Sequence, residues 1–388
     1  MSPARLPLPA LWRLIAADII RIVSLSLVPP VLAVALTARG EPASAVAAVA
    51  LMPYLGILLM SPLVPALRAR FGAVAAIKGG MVLSTLAALG FALGDGVAVW
   101  MPAALLAGLA AGIEWVTVDS LVAESAPPEK IGRLTGLFQT LVGLGFATGP
   151  AIPAVFILAP AQALWVPVGL ELLAWVPTLL VRGTGPERRA TSDVESGRVG
   201  RGVLAVLVAA PGLAAAGIVG GVFENGMTAL STVQATHLGF GAFTAVLMPT
   251  AIAVGSIAVQ YPVGWLADKV APRRLMEGGA VLLAMGAGLL ALTPGAPWLI
   301  WPVALLWGGV GGSLYTLTMT HVGVVFRRGN AVPAATAAAV AFYTGGAMLG
   351  PAVSGPAMDL SRDYGLAAAL GGLSLLALFV IARDRRGA

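Results

Sequence analysis

Long, continuous apolar runs divide this chain, and short polar turns separate them. A helix needs about 20 mostly apolar residues to cross a bilayer. Backbone that is not helical cannot face lipid, because its N–H and C=O groups would lack partners, so the runs predict membrane-spanning helices. Only 10% of the residues are charged, against roughly a quarter in a soluble domain. The runs do not alternate between apolar and polar residues, which argues against a transmembrane barrel.

Twelve spans are predicted, six on each side of one long polar segment. That segment is predicted to be a linker, so the chain divides into a bundle at 1–182, a linker at 183–201 and a bundle at 202–388. The first run is predicted to be a retained helix, since it is too long for a signal-peptide core and lacks a small-residue cleavage site. The predicted spans are 12–38, 44–67, 74–94, 97–123, 133–158, 162–182, 202–233, 241–267, 274–293, 297–324, 331–357 and 366–382.

The positions of Lys and Arg predict the orientation of these spans. If both termini are cytoplasmic, all 23 Lys and Arg residues except Arg21, Arg39 and Arg362 fall on the cytoplasmic side. This asymmetry follows the positive-inside rule, and we expect a multi-pass protein of a bacterial-type inner (plasma) membrane. Basic loops beside an anionic leaflet then explain the net charge of +6 without a nucleic-acid partner.

Several kinds of chemistry lack their residues in this sequence. Cys is absent, so there is no disulfide, thiolate metal site or cysteine nucleophile. His237 and His321 fall at opposite membrane edges and there is no M-x-x-x-M spacing, so no metal is expected. No Walker-type G-x-x-x-x-G-K-S/T occurs, so ATP-driven transport is disfavoured and no cofactor is expected. An enzyme is not expected either, because H-E-x-x-H and G-x-S-x-G are absent.

The two predicted bundles repeat a glycine pattern. Gly145, Gly149 and Pro150 match Gly346, Gly350 and Pro351 as a G-x-x-x-G-P run displaced by 201 residues. In the fourth and tenth spans, Gly108 and Gly112 match Gly308 and Gly312 at a displacement of 200. Glycines let membrane helices approach closely. The common displacement predicts two parallel structural repeats, with the substrate path between them.

One stretch, Gln260 to Arg274, ends a span in a charged turn and reads Q-Y-P-V-G-W-L-A-D-K-V-A-P-R-R. It resembles the G-x-L-A-D-K/R-x-G-R-R loop of the major facilitator superfamily, and the resemblance covers essentially the whole chain. It implies an all-α membrane protein with 12 transmembrane helices in two pseudo-symmetric six-helix bundles. The residues that carry the resemblance are Gly264, Leu266, Ala267, Asp268, Lys269, Arg273 and Arg274, with Pro272 where the family usually has Gly.

Two further stretches, W-V-T-V-D-S followed by E-K-I-G-R-L, and S-L-Y-T-L-T-M, most resemble the YcaD-like branch of that family. The G-x-x-x-G-P runs resemble a motif of the family's fifth helix that is often described for antiporters. The loop of the first bundle that corresponds to the charged turn keeps Arg70 and Gly72 but has Ala69 in place of the acid.

The resemblance also implies a cytoplasmic gate. Asp268 would meet the positive N-terminal end of the fifth helix, near Gly132 and Arg133 in the opposite half, and this contact would favour the outward-open state. Because the first-half loop lacks the acid, the gate is expected to be asymmetric and to rest on Asp268. The alternative is that the loop is only a topology signal of positive charge, which does not explain the acid.

Ionisable residues inside a membrane are functional candidates, because a charge near mid-bilayer costs at least ~2.5–3.5 kcal/mol. Asp18, Arg21 and Ser24 share one face of the first helix. Asp18 and Arg21 could form only an intrahelical ion pair, or Arg21 could join a network with carboxylates of the fourth helix, which lines the cavity in the family. In the second case Arg21 would hold an anionic group of the substrate or switch partners. The candidates are Asp18, Arg21, Glu114, Asp119, Glu171 and Glu224.

Aromatic residues accompany two of these positions. Trp115 and Asp119 share a helix face, and the repeat places Tyr315 and Met319 at the matching positions of the tenth helix. An aromatic shelf beside a carboxylate suits a cationic or amphipathic organic substrate. The alternative is that the aromatic rings are ordinary interfacial anchors.

Glu224, with Asn225, lies in the outer part of the seventh helix, where no Lys or Arg is predicted at the same depth. A carboxylate without a cation takes up a proton readily in a low-dielectric site, as proton coupling requires. The alternative is a neutral Glu hydrogen-bonded to a backbone carbonyl. Glu171 remains ambiguous, because the sixth helix is usually peripheral to the cavity in the family.

These residues predict a secondary active transporter of a small organic solute, coupled to protons and working by alternating access in the lipid bilayer as a monomer. The G-x-x-x-G-P motif favours antiport, hence efflux. The alternatives are a proton-coupled uptake symporter of an anionic metabolite, a lipid flippase with a cavity open to acyl chains, and a receptor that binds a ligand without flux.

Overall fold

The computed structural model describes residues 6–41, 43–156, 158–183, 185, 206, 210–241, 247–326 and 331–384. Within these ranges every regular element is a helix. Almost all of the predicted linker, 183–201, and most of the start of the predicted seventh span lie outside the described residues. The helices are α1 (Leu8–Ala38), α2 (Ala43–Met60), α3 (Val64–Phe71), α4 (Ala73–Leu93), α5 (Val97–Ser125), α6 (Ile131–Val155), α7 (Pro160–Ala163), α8 (Trp165–Leu179), α9 (Pro211–Gly221), α10 (Thr228–His237), α11 (Met248–Ala267), α12 (Pro272–Ala291), α13 (Ile300–Val325), α14 (Val332–Leu360) and α15 (Gly365–Arg383).

Ten of the described helical segments are long and apolar enough to cross a membrane. The predicted second span continues beyond residue 67, because a 3₁₀ turn at Ser61–Leu63 leads directly into α3. Pro62 lies in this turn, where its missing N–H costs little. The predicted fifth span is α6, which carries Gly, Thr and Gln along its length and is not among the ten.

The seventh span, predicted at 202–233, contains an irregular turn that the sequence did not predict. A π-helical turn, Val222–Gly226, separates α9 from α10. Gly220 and Gly221 precede this turn and Gly226 ends it. Glycine is a poor helix former, and this explains why the α-helical hydrogen-bond pattern gives way at this point.

Contacts divide the chain into two compact units. Unit 1 comprises Met1–Ser125, Leu141–Val199 and Gly329–Ala337, and unit 2 comprises Ala126–Thr140, Gly200–Arg328 and Ala338–Ala388. The first turns of α6 therefore group with unit 2, and the first turn of α14 groups with unit 1. The division at 1–182 and 202–388 follows the order of the chain and remains a prediction.

Each unit has its own apolar core. In unit 1, Leu27 of α1 and Phe91 of α4 belong to a buried cluster with Trp100 of α5. In unit 2, Phe223 of the π-helical turn and Trp307 of α13 are fully buried, and their rings meet edge to face at 5.6 Å between centroids. Such aromatic pairs contribute about 0.5–1.5 kcal/mol beyond the apolar area that they bury.

The repeated glycines lie where helices cross at backbone distance. A Cβ atom added to Gly108 of α5 would lie 2.7 Å from the Pro53 Cα of α2, and one added to Gly308 of α13 would lie 2.8 Å from the Ile252 Cα of α11. Real Cβ atoms do not approach so closely. The glycine repeat therefore has the same physical cause in both units, which is close helix packing.

The G-x-x-x-G-P runs also pack helices together. Gly145 of α6 faces Ile22 of α1, and Gly149 faces Val23 and Leu27 of the same helix. In unit 2, a Cβ atom on Gly346 of α14 would lie 2.9 Å from the Ile218 Cα of α9. Pro150, Gly350 and Pro351 complete the two runs inside α6 and α14.

Candidate functional site

Arg21 lies at the centre of a buried group of charges in unit 1. Its Nη1 forms an ion pair with Glu114 Oε2 and lies 3.8 Å from Asp18 Oδ1, and its Nε is 3.2 Å from Glu171 Oε2. Asp18 and Arg21 belong to α1, Glu114 to α5 and Glu171 to α8. We call these four residues the acid–arginine cluster. None of their side chains is more than 9% exposed, so water screens their charges only weakly.

A fourth helix, α4, also contacts the acid–arginine cluster. Ser84 Oγ donates a hydrogen bond of 2.7 Å to Glu171 Oε2, and Arg21 Nε is 3.3 Å from the same hydroxyl. One turn earlier, a Cβ atom on Gly80 would lie 2.7 Å from Glu114 Oε1. Gly80 therefore leaves the space that the Glu114 carboxylate occupies.

A contact between Arg21 and Glu114 was one of the two alternatives that the sequence left open, whereas the contact with Glu171 was not among them. Asp119, the other predicted carboxylate, is buried on α5 five residues beyond Glu114, which places it roughly 140° further round the helix. Trp115 follows Glu114 and is half-buried, and Ser24 is buried one turn after Arg21.

In unit 2, the π-helical turn positions Glu224. Ser256 Oγ donates a hydrogen bond of 2.6 Å to Glu224 Oε1, and Tyr343 Oη donates one of 2.5 Å to Glu224 Oε2. Within the described part of the chain, Glu224 forms no ion pair. Both carboxylate oxygens therefore accept hydrogen bonds from hydroxyls and not from a cation. Single π-helical turns inside α-helices occur frequently at functional sites.

The hydrogen bonds continue across two more helices. Gln260 Nε2 on α11 donates to Ser256 Oγ over 2.8 Å, and Thr316 Oγ1 on α13 donates to Gln260 Oε1 over 3.2 Å. We call Glu224, Ser256, Gln260, Thr316 and Tyr343 the Glu224 network.

Of the other predicted residues, Tyr315 contacts this network, because its ring centroid is 4.7 Å from that of Tyr343. The backbone of Asn225 lies in the π-helical turn, and its side chain lies outside the described part of the structure.

Sequence reasoning missed Ser84, Ser256 and Tyr343, and it named Glu171 as a candidate without giving it a partner. A signal was present for α11, because Ser256 and Gln260 are polar residues four apart in an apolar run and therefore share one face. Tyr343 carries no comparable signal, since a tyrosine in a membrane helix is equally typical of packing or of an interfacial anchor.

Asp268 follows α11 and contacts the first turn of α6, which groups with unit 2. Its Oδ1 accepts a hydrogen bond of 2.7 Å from the Gly132 N–H, and its Oδ2 accepts bonds from the Arg133 N–H at 3.2 Å and from Arg133 Nε at 3.1 Å. Gly132, Gly136 and Gly264 bring the two backbones together, since a Cβ atom on Gly264 would lie 2.9 Å from the Gly136 Cα. A carboxylate at a helix N-terminus is favoured by the orphan N–H groups and by the helix dipole.

The remaining residues of the two predicted gating loops make local contacts. Lys269 Nζ lies 3.4 Å from the ring centroid of Trp265. Arg273 Nε is 3.0 Å from Glu277 Oε1, and its Nη2 donates to the Ala382 carbonyl over 2.9 Å. Arg274 is exposed in the first turn of α12.

In the first-half loop, the Arg70 guanidinium lies over the ring of Phe71, 5.2 Å from its centroid. The buried ion pair of this loop belongs to Arg68, whose Nη2 is 3.0 Å from Glu124 Oε2. Gly72 has φ of +87°, in the left-handed region that favours glycine, and it packs against the backbone of Gly185.

No three His, Asp or Glu side chains of the described residues come together in a way that could hold a metal ion.

Comparison with known proteins identifies the family. The model of the Major Facilitator Superfamily matches residues 14–351, so the chain belongs to this superfamily of membrane-spanning transporters, whose members are carriers and not enzymes. The chain is 26% identical over 331 residues to the uncharacterized MFS-type transporter YfkF of Bacillus subtilis (strain 168), covering 84% of this chain and 83% of YfkF. It is 24% identical over 313 residues to the uncharacterized MFS-type transporter YcaD of Escherichia fergusonii, covering 77% and 75%.

Solved structures agree with this fold. The Escherichia coli fucose:proton symporter FucP superposes with a TM-score of 0.73 at 15% identity, covering 96% of this chain and 97% of FucP. At this identity the likeness concerns the fold alone. The expected twelve-helix, two-bundle fold of the superfamily is therefore confirmed, as is the resemblance to proteins that include YcaD.

Proposed function

We propose that this chain is a proton-coupled secondary active transporter of a small organic solute, working by alternating access in a bacterial-type inner membrane with both termini cytoplasmic. The observation that carries the proposal is the position of Glu224. Its carboxylate lies inside a membrane helix, accepts hydrogen bonds from Ser256 and Tyr343 and forms no ion pair within the described residues.

Protonation of Glu224 would change the Glu224 network. The ionised carboxylate only accepts hydrogen bonds, whereas the protonated form also donates one. A hydroxyl that now donates to Glu224 would have to turn its proton elsewhere when Glu224 becomes a donor. Because Ser256 is bonded to Gln260 and Gln260 to Thr316, the change would reach α11 and α13. Protonation of Glu224 would therefore change the relative free energy of two arrangements of these helices, as proton coupling requires.

The contact of Asp268 supplies a candidate gate. Its three hydrogen bonds to Gly132 and Arg133 join the end of α11 to the start of α6. In the proposed cycle this contact forms in the state that is closed to the cytoplasm and breaks in the state that is open to it. The G-x-x-x-G-P runs favour antiport, and hence efflux, as the direction.

Transport in proteoliposomes tests the proposal. A thermal-shift screen on the detergent-purified protein first identifies a solute, because a ligand that binds only the folded state stabilises it. We expect an imposed pH gradient to drive the flux of that solute and Glu224→Gln to abolish the dependence on the gradient. Glu129→Gln, an exposed carboxylate before α6, is the matched control and should transport normally. Gradient-driven flux that survives Glu224→Gln, or flux that no pH gradient alters, would show that the proposal is wrong.

A further inference from the structure

The acid–arginine cluster contains more negative than positive charge. It has one guanidinium, that of Arg21, and three carboxylates, those of Asp18, Glu114 and Glu171. With every group ionised the formal charge of the cluster is therefore −2. Because these side chains are at least nine-tenths buried, water cannot compensate the excess as it would at a surface.

Within the described part of the chain, two of the carboxylates keep acceptor oxygens that are not hydrogen-bonded. The closest ion-pair contact of Asp18 is 3.8 Å from Arg21 Nη1, which is beyond hydrogen-bond distance. Glu114 Oε1 is buried and accepts no hydrogen bond from the described residues. Glu171, in contrast, is bonded to both Ser84 and Arg21. Buried polar atoms are normally satisfied, so Glu114 Oε1 is an acceptor that a bound donor can satisfy.

The Nε and Nη1 of Arg21 are already directed at the three carboxylates and at Ser84. An added anionic group would meet three carboxylates at the same place and would raise the excess negative charge. A protonated amine would instead bring positive charge and N–H donors, which are the two things that the cluster lacks.

We propose that the acid–arginine cluster binds a cationic group of the transported solute, a protonated amine, beside Asp18 and Glu114. This inference rests on the proposed transport function and names the charge of its substrate. Arg21 then serves as a positioning residue that holds the three carboxylates together, and it is not an anion-binding residue as the sequence suggested. Since the cluster is nine-tenths buried, the amine reaches it in a more open state of the protein.

Three series of probes with one carbon skeleton test this assignment: phenylalkyl amines, phenylalkyl alcohols and phenylalkyl carboxylates of increasing chain length. The readouts are the thermal-unfolding midpoint of the full-length protein in detergent and the dissociation constant from calorimetry. We expect stabilisation by amines at a pH where they are protonated, and little by the alcohols or carboxylates.

Variants then place the bound amine at the cluster. Glu114→Gln and Asp18→Asn remove one charge each while keeping the shape of the side chain, and each should weaken amine binding about tenfold or more. Glu277→Gln, which disrupts an acid–arginine pair elsewhere, is the matched control and should bind amines like the natural protein. The unfolding midpoint without probe shows whether each variant is folded, and a variant that does not fold is replaced by Glu171→Gln.

Stabilisation by the carboxylates, or by none of the three series, overturns the proposal. So does amine binding that survives both Glu114→Gln and Asp18→Asn. These failures can be told apart from failure of the proposed function. If a pH gradient drives the flux of a carboxylate probe, proton-coupled transport is supported and only the assignment of a cationic substrate is refuted.

Discussion

Tyr343 Oη on α14 lies 2.5 Å from Glu224 Oε2 in the π-helical turn, so a hydroxyl from one helix holds a carboxylate in another. An intramolecular hydrogen bond contributes about 0.5–1.5 kcal/mol, and one to an ionised group contributes about 1.5–3 kcal/mol. The same tyrosine ring packs against Tyr315, which fixes the direction of the hydroxyl.

Tyr343→Phe should therefore reduce transport driven by a pH gradient and lower the midpoint of thermal unfolding, since the ring remains and only the hydroxyl is lost. Tyr364→Phe is the control, because Tyr364 is exposed at the start of α15. Equal flux and equal midpoints for the two variants would show that the Tyr343 hydroxyl has no part in the function of Glu224.

Gly312 of α13 makes room for the Glu224 network. An added Cβ atom would lie 3.0 Å from Glu224 Oε1 and 3.2 Å from Ser256 Cβ. We expect Gly312→Ala to destabilise the protein by about 1–3 kcal/mol, as overpacking does, and to impair coupling. Gly345→Ala is the control, because no atom lies within 4 Å of its added Cβ, and it should be neutral or stabilising by up to about 1 kcal/mol. Thermal unfolding of the two variants tests this prediction, and equal midpoints would contradict it.

Asp268 is expected to hold the cytoplasmic gate shut. Asp268→Asn keeps the shape of the side chain but weakens its charge-assisted bonds to Gly132 and Arg133, so the population should shift toward the inward-open state with little change in fold. Since the chain contains no cysteine, Thr135→Cys on α6, a buried position, can report accessibility to a thiol reagent. Labelling should become faster in Asp268→Asn.

The same labelling on an Arg70 variant tests the asymmetry of the gate. Arg70 makes its observed contact with the neighbouring Phe71, so its replacement by Gln should leave the labelling rate unchanged. An unchanged rate in Asp268→Asn together with a faster rate in Arg70→Gln would reverse the inferred asymmetry.

Gly264 packs backbone against backbone with α6. Its added Cβ would lie 3.1 Å from the Gly132 carbonyl carbon and 2.9 Å from the Gly136 Cα, and backbone atoms cannot move aside as a flexible side chain does. Gly264→Ala should therefore separate the helices, cost about 1–3 kcal/mol and speed the labelling of Thr135→Cys. Gly278→Ala on α12, whose added Cβ has nothing within 4 Å, should do neither.

The sequence predicted the fold well because the cost of exposing backbone groups to lipid leaves helices as the solution for apolar runs of this length. It also identified Arg21, Glu114 and Glu224, since charges in apolar runs are conspicuous. It did not predict Glu171 as a partner of Arg21 or Tyr343 as a partner of Glu224. Those contacts are 150 and 119 residues apart in the chain and depend on helix rotation, which hydropathy does not specify.

The π-helical turn has a consequence for the length of the seventh span. Val222–Gly226 accommodates an additional residue in its turn. On either side of it, α9 packs against α13 and α15, and α10 packs against α11. Deleting one residue from this segment would restore the α-helical period and rotate α10 by roughly 100° relative to α9. The number of residues between Gly221 and Thr228 thus sets the rotation of α10 relative to α9. A relative that keeps an acid at the position of Glu224 but lacks the additional residue would direct its carboxylate at a different neighbour.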